Sequence, residues 1–233
     1  MRLHRFFIDQ PLTDTLICIS DKELLHQWSR VLRYSEGVQV VLLDGKGGEV
    51  TGTVVEFSSK QALVEVVSRR EQTEALGPVL TVYFSPLKRE LTELVFQKGT
   101  ELGVSAFQPI LCDRTVRDGF NPERTARILK EAAEQSGRLW LPEFRAPISF
   151  GEALKINQST RTYFATLDKE ASHSSQESDT TGSIALFVGP EGGWTEEEES
   201  LARTAGYQPF HFSSNVLRAE TACIAGVALL LAV

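Results

Sequence analysis

The arrangement of apolar and polar residues changes character near residue 77. Before that point, short stretches rich in β-branched residues are separated by glycine-containing turns. Val38–Leu43 and Val50–Phe57 read as strands joined by the turn Asp44–Gly48, and Ala62–Val67 reads as a third. Short strands joined by Gly-rich turns predict a small, compact barrel. The stretch from Arg69 to Gly77, followed by Pro78, is polar and ends in turn residues. It marks the expected boundary between a first domain, residues 1–72, and a second, residues 73–233.

Beyond the boundary, apolar runs alternate with segments of helical period. Val79–Phe84 is a predicted strand, and Lys88–Leu102 a helix with Leu91, Leu94, Val95 and Leu102 on one face and Gly103 as its stop. Val104–Leu111 follows as a strand. A helix then starts at Pro122 with Asn121 as its cap and runs through Glu134 to end near Gly137. Tyr163–Leu167, Ile184–Val188 and Tyr207–Phe212 are further strands, and the stretch from Glu170 to Ser183 is a polar, serine-rich surface loop. Strands alternating with helices predict an α/β domain with a parallel sheet.

Composition narrows the class without naming a ligand. The 233 residues carry a formal charge of −7, and residues 169–233 hold three Lys/Arg against nine Asp/Glu. The remainder is nearly neutral, so net charge neither supports nor excludes a nucleic-acid partner. Cys18, Cys112 and Cys223 are far apart with no C-x-x-C pair, which argues against disulfides and a structural metal and for reduced thiols. No leader or membrane span is expected, since the longest apolar run, Thr221–Val233, is too short to cross a bilayer. A cytoplasmic location is the default.

The candidate chemistry lies in two loops. In Phe187–Trp194 (FVGPEGGW), Gly189, Gly192 and Gly193 let main-chain atoms approach a ligand, or serve a purely structural turn. Thr195–Glu198 is a capping box opening a helix. Helix starts of this kind often hold phosphate. Here Glu196, Glu197, Glu198 and Glu199 occupy that field, and neither dinucleotide nor P-loop glycine patterns are present. A neutral or cationic adenosine-type ligand fits better, while the same glutamates also favour the helix dipole. In Ser213–Ala222 (SSNVLRAETA), Ser213, Ser214 and Asn215 offer polar groups, and Val216 and Leu217 can sandwich a flat ring. Arg218 sits at a helix start, where the dipole disfavours a cation, and is either functional or paired with Glu220 or another carboxylate. Small residues then line the last helix, predicting close packing within the domain or across a dimer.

These two segments, together with Gln97–Val104 (QKGTELGV), Glu131–Arg138 (EAAEQSGR), His4–Phe7 (HRFF) and Val31–Arg33 (VLR), resemble the bacterial RsmE family. Its members are ribosomal RNA uridine-N3 methyltransferases of the SPOUT superfamily. The resemblance runs in order along nearly the whole chain. It implies a PUA-like, RNA-binding β-barrel joined to an α/β domain whose end is threaded as a trefoil knot, and a homodimer that binds S-adenosylmethionine without metal. Carried over, the donor pocket uses Thr166, Leu167, Gly189, Gly193, Ser213, Asn215, Val216 and Leu217, closed by Arg218, Thr221 and Ala222. The chain departs from the family at Phe212-Ser213, where Leu-Gly is usual, and at Trp194, where Phe is usual.

The implied substrate is a uridine of 16S ribosomal RNA in the small subunit. Its N3 must lose a proton before it attacks the donor methyl, and Arg218 is the candidate for stabilising the resulting negative charge. Glu220 and His211 are both chemically able to act as a base. The candidates for RNA contact are Arg5, Arg33, Arg114, Arg117, Arg124, Arg127 and Arg138, each equally readable as a solvated charge. Two alternatives stand beside this reading. One keeps the fold and donor but modifies a ribose 2′-hydroxyl or another RNA position; the other is a non-catalytic RNA-binding or ribosome assembly protein.

Overall fold

The structure, a computed structural model, describes residues 3–72, 77–116, 121–168, 182–211 and 213–231. Arg117, Phe212 and most of the expected serine-rich loop lie outside the described residues. The chain divides into two compact units, Met1–Ala75 with Ala133–Leu141, and Leu76–Ala132 with Pro142–Val233. The segment Ala133–Leu141, which the sequence places in the second domain, therefore groups with the first unit. The cause is local packing: Ala133 and Leu139 share an apolar cluster with Phe7, Val41 and Leu43, and the Glu134 carboxylate accepts the Phe7 N–H at 3.0 Å.

In the first unit, strands β1 (Arg5–Phe7), β2 (Leu16–Ile19), β3 (Gln39–Leu43), β4 (Gly48–Phe57) and β5 (Ala62–Glu71) form one sheet in the order β1-β3-β4-β5-β2. All neighbours are antiparallel except β1 with β3. Three of these strands are legible from period alone; β1 and β2, at three and four residues, are too short to show one. Side chains alternate across a pleated strand, so Val40 and Leu42 of β3 and Val50 and Val54 of β4 turn inward around Trp28. Trp28 lies in a π-type turn, Gln27–Val31, that extends the short helix α1 (Lys22–His26). Arg33 closes that turn at φ 54°, the only non-glycine positive φ among the described residues.

The second unit is a three-layer α/β sandwich. Strands β6 (Val79–Phe84), β7 (Ala106–Leu111), β8 (Glu143–Phe144), β10 (Arg161–Ala165), β11 (Ser183–Val188) and β12 (Gln208–Phe210) lie in the order β12-β10-β11-β6-β7-β8, with β9 (Ile148–Ser149) also on β7. Every pair is parallel. Alternate residues of β6 show why both faces must be covered: Leu80, Val82 and Phe84 enter one apolar cluster and Tyr83 enters the other. Helices α2 (Arg89–Leu102), α3 (Pro122–Ser136) and α6 (Ala219–Leu231) supply Phe96, Leu129 and Val227 to the first face. Helices α4 (Phe150–Ile156) and α5 (Glu196–Thr204) supply Phe150 and Ala202 to the second.

The path through this sheet positions the site. The chain leaves β7, passes beyond β6 to β10, inserts β11 between β10 and β6, and then crosses to the outer edge at β12. The carboxyl ends of β10, β11 and β12 thus lie side by side, and the loops after all three meet in the place where open parallel sheets gather ligands. Asn121 caps α3 as expected, its Oδ1 accepting the Arg124 N–H at 3.0 Å. Helix α4 was not expected, although its capping box, Ser149 with Glu152, is a signal readable in the sequence.

Candidate active site

A cavity of about 660 Å³ opens in the second unit where those loops converge on the start of α6. Thr166, Leu167, Gly189, Gly193, Ser213, Asn215, Val216, Leu217, Arg218 and Ala222 all line it. Thr221 does not. The helical turn that points Arg218, Ala219 and Ala222 at the cavity leaves Thr221 exposed and off its lining.

The glycine loop is held from several directions. Gly193 has φ +70° and donates its N–H to the Pro190 carbonyl at 2.8 Å, closing a tight turn. Arg114, expected on an RNA surface, instead donates from one guanidinium nitrogen to the carbonyls of Gly192 and Trp194, both at 2.9 Å, and lines the cavity itself. Trp194 is buried against Gly189, where an added Cβ would meet the indole at 2.8 Å. Its ring N–H donates to the Ala165 carbonyl at 2.9 Å, which ties β11's loop to the end of β10. A phenylalanine at that position would lack this donor.

The capping box forms as predicted. Thr195 Oγ accepts the Glu198 N–H at 3.2 Å, and Glu198 Oε2 accepts the Thr195 N–H at 2.9 Å. The second oxygen of Glu198 accepts the Asp113 N–H at 3.0 Å, binding the 112–115 turn to the start of α5. Of the four glutamates expected to shape the ligand field, Glu199 alone lines the cavity; Glu198 is buried in structural bonds. Burial, followed by the nearby Glu198, pushes the Cys112 thiol up to about 12, so it is protonated at neutral pH.

The second loop is open. Among the described residues, Ser213 through Leu217 make one hydrogen bond, Asn215 N–H to Ser213 Oγ at 3.2 Å. Ser213 has no positive φ, so serine is tolerated where glycine is usual. Val216 is 77% exposed and Arg218 is exposed. The Arg218 guanidinium has no ion pair or hydrogen bond among the described residues, which removes its pairing with Glu220.

Trp194 also lines the cavity without having been assigned to it, as do His211 and Glu220, which the sequence offered only as possible bases. His211 is buried and its Nδ1 lies 3.2 Å from the Thr166 carbonyl. A carbonyl only accepts, so Nδ1 carries the proton of this bond. Glu191 and Glu199 add carboxylates at the wall. Among the described residues no cluster of three or more His, Cys, Asp or Glu is arranged to hold a metal, and no helix is long and apolar enough to cross a membrane.

The remaining candidate arginines are scattered. Arg5 and Arg138 of the first unit are half-buried, and burial lowers the Arg138 pKa. Arg33 and Arg127 are exposed. Arg124 is ion-paired with Glu93, its Nη2 at 2.7 Å, and that hydrogen bond is the main cause holding the Glu93 carboxyl below its usual range.

Comparison with known proteins bears on what this cavity holds. The RNA methyltransferase domain family matches residues 75–231. The chain is 39% identical over 210 residues to ribosomal RNA small subunit methyltransferase E of Synechocystis sp., covering 85% of this chain and 67% of that protein. It is 30% identical to the protein of the same name from Mycobacterium bovis, over 96% of this chain and 88% of that one. The crystal structure of ribosomal RNA small subunit methyltransferase E from Neisseria gonorrhoeae bound to S-adenosyl methionine superposes with a TM-score of 0.89 at 27% identity, over 99% of this chain and 98% of that one. With its cavity at the carboxyl ends of three adjacent parallel strands and these matches along nearly its whole length, the chain belongs to the RsmE family of ribosomal RNA small subunit methyltransferases.

Proposed function

We propose that the protein transfers the methyl group of S-adenosylmethionine to N3 of a uridine in 16S ribosomal RNA of the small subunit. The observation that carries this reading is the cavity itself, in a chain of the RsmE family. It has the volume of a small-molecule site, apolar walls at Val188 and Leu217, main chain exposed at Gly189 and Gly193, and carboxylates at Glu191, Glu199 and Glu220. Such a lining suits an adenosine-type cation and lacks the lysine and glycine cradle of a triphosphate site.

When bound, the donor supplies an electrophilic methyl on a sulfonium. The glycine loop and Val216 to Leu217 would hold its flat part and exclude water. Arg218 faces the cavity from the start of α6 without a partner among the described residues. It stabilises the negative charge that spreads over the uridine carbonyls once the N3 proton has left, or positions the target phosphate. Thr166 and Leu167, just past the end of β10, would border the donor, as would Asn215 and Ala222.

The wider architecture follows the same reading: residues 1–72 form a PUA-like RNA-binding barrel, residues 73–233 a SPOUT domain with a trefoil knot, and two chains pair in the cytoplasm. RNA contact falls first to Arg33 and Arg127, which are exposed, then to Arg5 and Arg138. Arg114 and Arg124 are already engaged, and Arg117 lies outside the described residues.

The test is to incubate the protein with purified small subunits and methyl-labelled S-adenosylmethionine, digest the RNA and map the methyl by mass spectrometry. 3-Methyluridine at one site is expected. A methyl on ribose rejects the N3 assignment, and absence of both incorporation and calorimetric donor binding returns the chain to a non-catalytic assembly role.

A further inference from the structure

The wall of the cavity holds one largely buried acidic residue to which no specific role in donor binding has been assigned. Glu220, the second residue of α6, is only 7% exposed and lines the cavity between Ala219 and Ala222. Among the described residues its carboxylate has no hydrogen bond and no ion pair, and neither cavity arginine satisfies it. Arg114 is committed to the carbonyls of Gly192 and Trp194, and Arg218 forms no salt bridge with Glu220. A carboxylate on a residue only 7% exposed, with no counter-charge among the described residues, gives up part of its solvation at a cost. The positive end of the α6 dipole offsets part of that cost, and a cation entering the cavity would offset the rest.

We propose that Glu220 is a specificity-determining residue that reads the sulfonium charge of the methyl donor, so that the cavity holds the cationic donor more tightly than its neutral product. This rests on the donor reading above. A sulfonium has no N–H groups to satisfy, so it suits a carboxylate on a largely buried residue with little room for water around it. The α-ammonium needs several acceptors or water and fits the more exposed Glu191 and Glu199 at the same cavity. Glu220 also shares the start of α6 with Arg218, the group assigned to the nucleophile. The electrophile must approach that nucleophile, which brings the sulfonium to this end of the cavity. On transfer, the bond from sulfur to the methyl carbon breaks with its electron pair left on sulfur, the methyl carbon bonds to N3, and the positive charge is gone. The attraction to Glu220 disappears with it, and the product is released.

Calorimetry tests this with S-adenosylmethionine, S-adenosylhomocysteine and an analogue carrying an ammonium in place of the sulfonium, because all three share the adenosine and amino-acid ends. The wild-type protein is expected to bind both cationic ligands at least about tenfold more tightly than the neutral one, a difference of about 1.4 kcal/mol. In Glu220→Gln the donor affinity falls by about tenfold while that for the neutral product changes by less than about twofold, and Glu220→Asp, which keeps the charge, retains most of the preference. An equal loss for all three ligands in Glu220→Gln would place Glu220 at a group they share and overturn the proposal. So would an unchanged ratio in that variant, or a wild-type protein that binds product as tightly as both cations. If the wild-type protein binds none of the three, the donor reading itself fails, which is a separate result from loss of the ratio alone. Should Glu220→Gln not fold, as judged by circular dichroism, the wild-type series and Glu220→Asp carry the decision.

Discussion

Gly189–Trp194 and Ser213–Arg218 border one cavity and are held in different ways. The first is fixed by the Arg114 guanidinium, the Trp194 indole and the Gly193 turn. The second has one internal hydrogen bond among the described residues and presents Val216 and Arg218 to solvent. Each hydrogen bond contributes about 0.5–1.5 kcal/mol net, so the glycine loop keeps its shape without a ligand. The open loop keeps its interactions in reserve: burying an exposed valine is worth about 1.5–3 kcal/mol, a gain made only when a ligand arrives. One wall is a mould, and the other, in the proposed function, provides the groups that bind and react.

The difference can be broken experimentally at its strongest point first. Arg218→Ala is expected to lower the single-turnover rate by about 100-fold or more, in the range of losing one transition-state donor, with donor affinity within about threefold. A near-normal rate would move the chemistry away from the open loop. Gly193→Val attacks the mould directly. A branched residue at φ +70° costs about 1–3 kcal/mol, and its side chain enters space that is empty of neighbours within 4 Å. Donor affinity should fall by at least about tenfold in calorimetry, and unchanged affinity would remove Gly193 from the pocket.

Arg114→Ala should cost about 1 kcal/mol in thermal or denaturant unfolding, modest because the side chain is exposed, and weaken donor binding a few-fold. If neither changes, the glycine loop holds its shape without that clamp. The smallest expected effect is alkaline. The Cys112 thiol, in the turn tied to α5, is raised from 9.0 to about 12. The folded state therefore keeps a proton that the unfolded chain releases. Its contribution is complete well below pH 9, at about pH 7 and under, and is lost progressively as pH rises through 9 toward about 12. Wild-type protein should lose stability relative to Cys112→Ala by about 0.4 kcal/mol between pH 7 and pH 9, and more above that. A pH-independent gap in denaturant midpoints would show that the thiol is not shifted.

Much of the site was readable because its elements announce themselves locally. The helix start at Thr195 follows from a hydroxyl and a carboxylate three residues apart, and the glycine turn from residues that tolerate positive φ. Trp194 was not assigned to the pocket, and His211 and Glu220 were named only as possible bases, since a lone aromatic, a strand-end histidine and a helix glutamate carry no local mark of the cavity they face. The second role of Arg114 was not legible for a related reason: a cation in a loop reads as surface charge until the carbonyls it holds, some eighty residues away, are in place. In the fold, β1, β2, β8 and β9 escaped notice because two to four residues cannot show a period.

The sequence by itself determined the kinds of elements, the parallel α/β character of the second unit, the two loops and the family, because backbone propensity, capping and motif are properties of neighbouring residues. Only the tertiary structure decided that β11 lies between β10 and β6, that Ala133–Leu141 packs with the first unit, and that Glu220, with no counter-charge among the described residues, lines the wall of the cavity. Those outcomes depend on which distant surfaces exclude water together, and that information is spread over the whole chain.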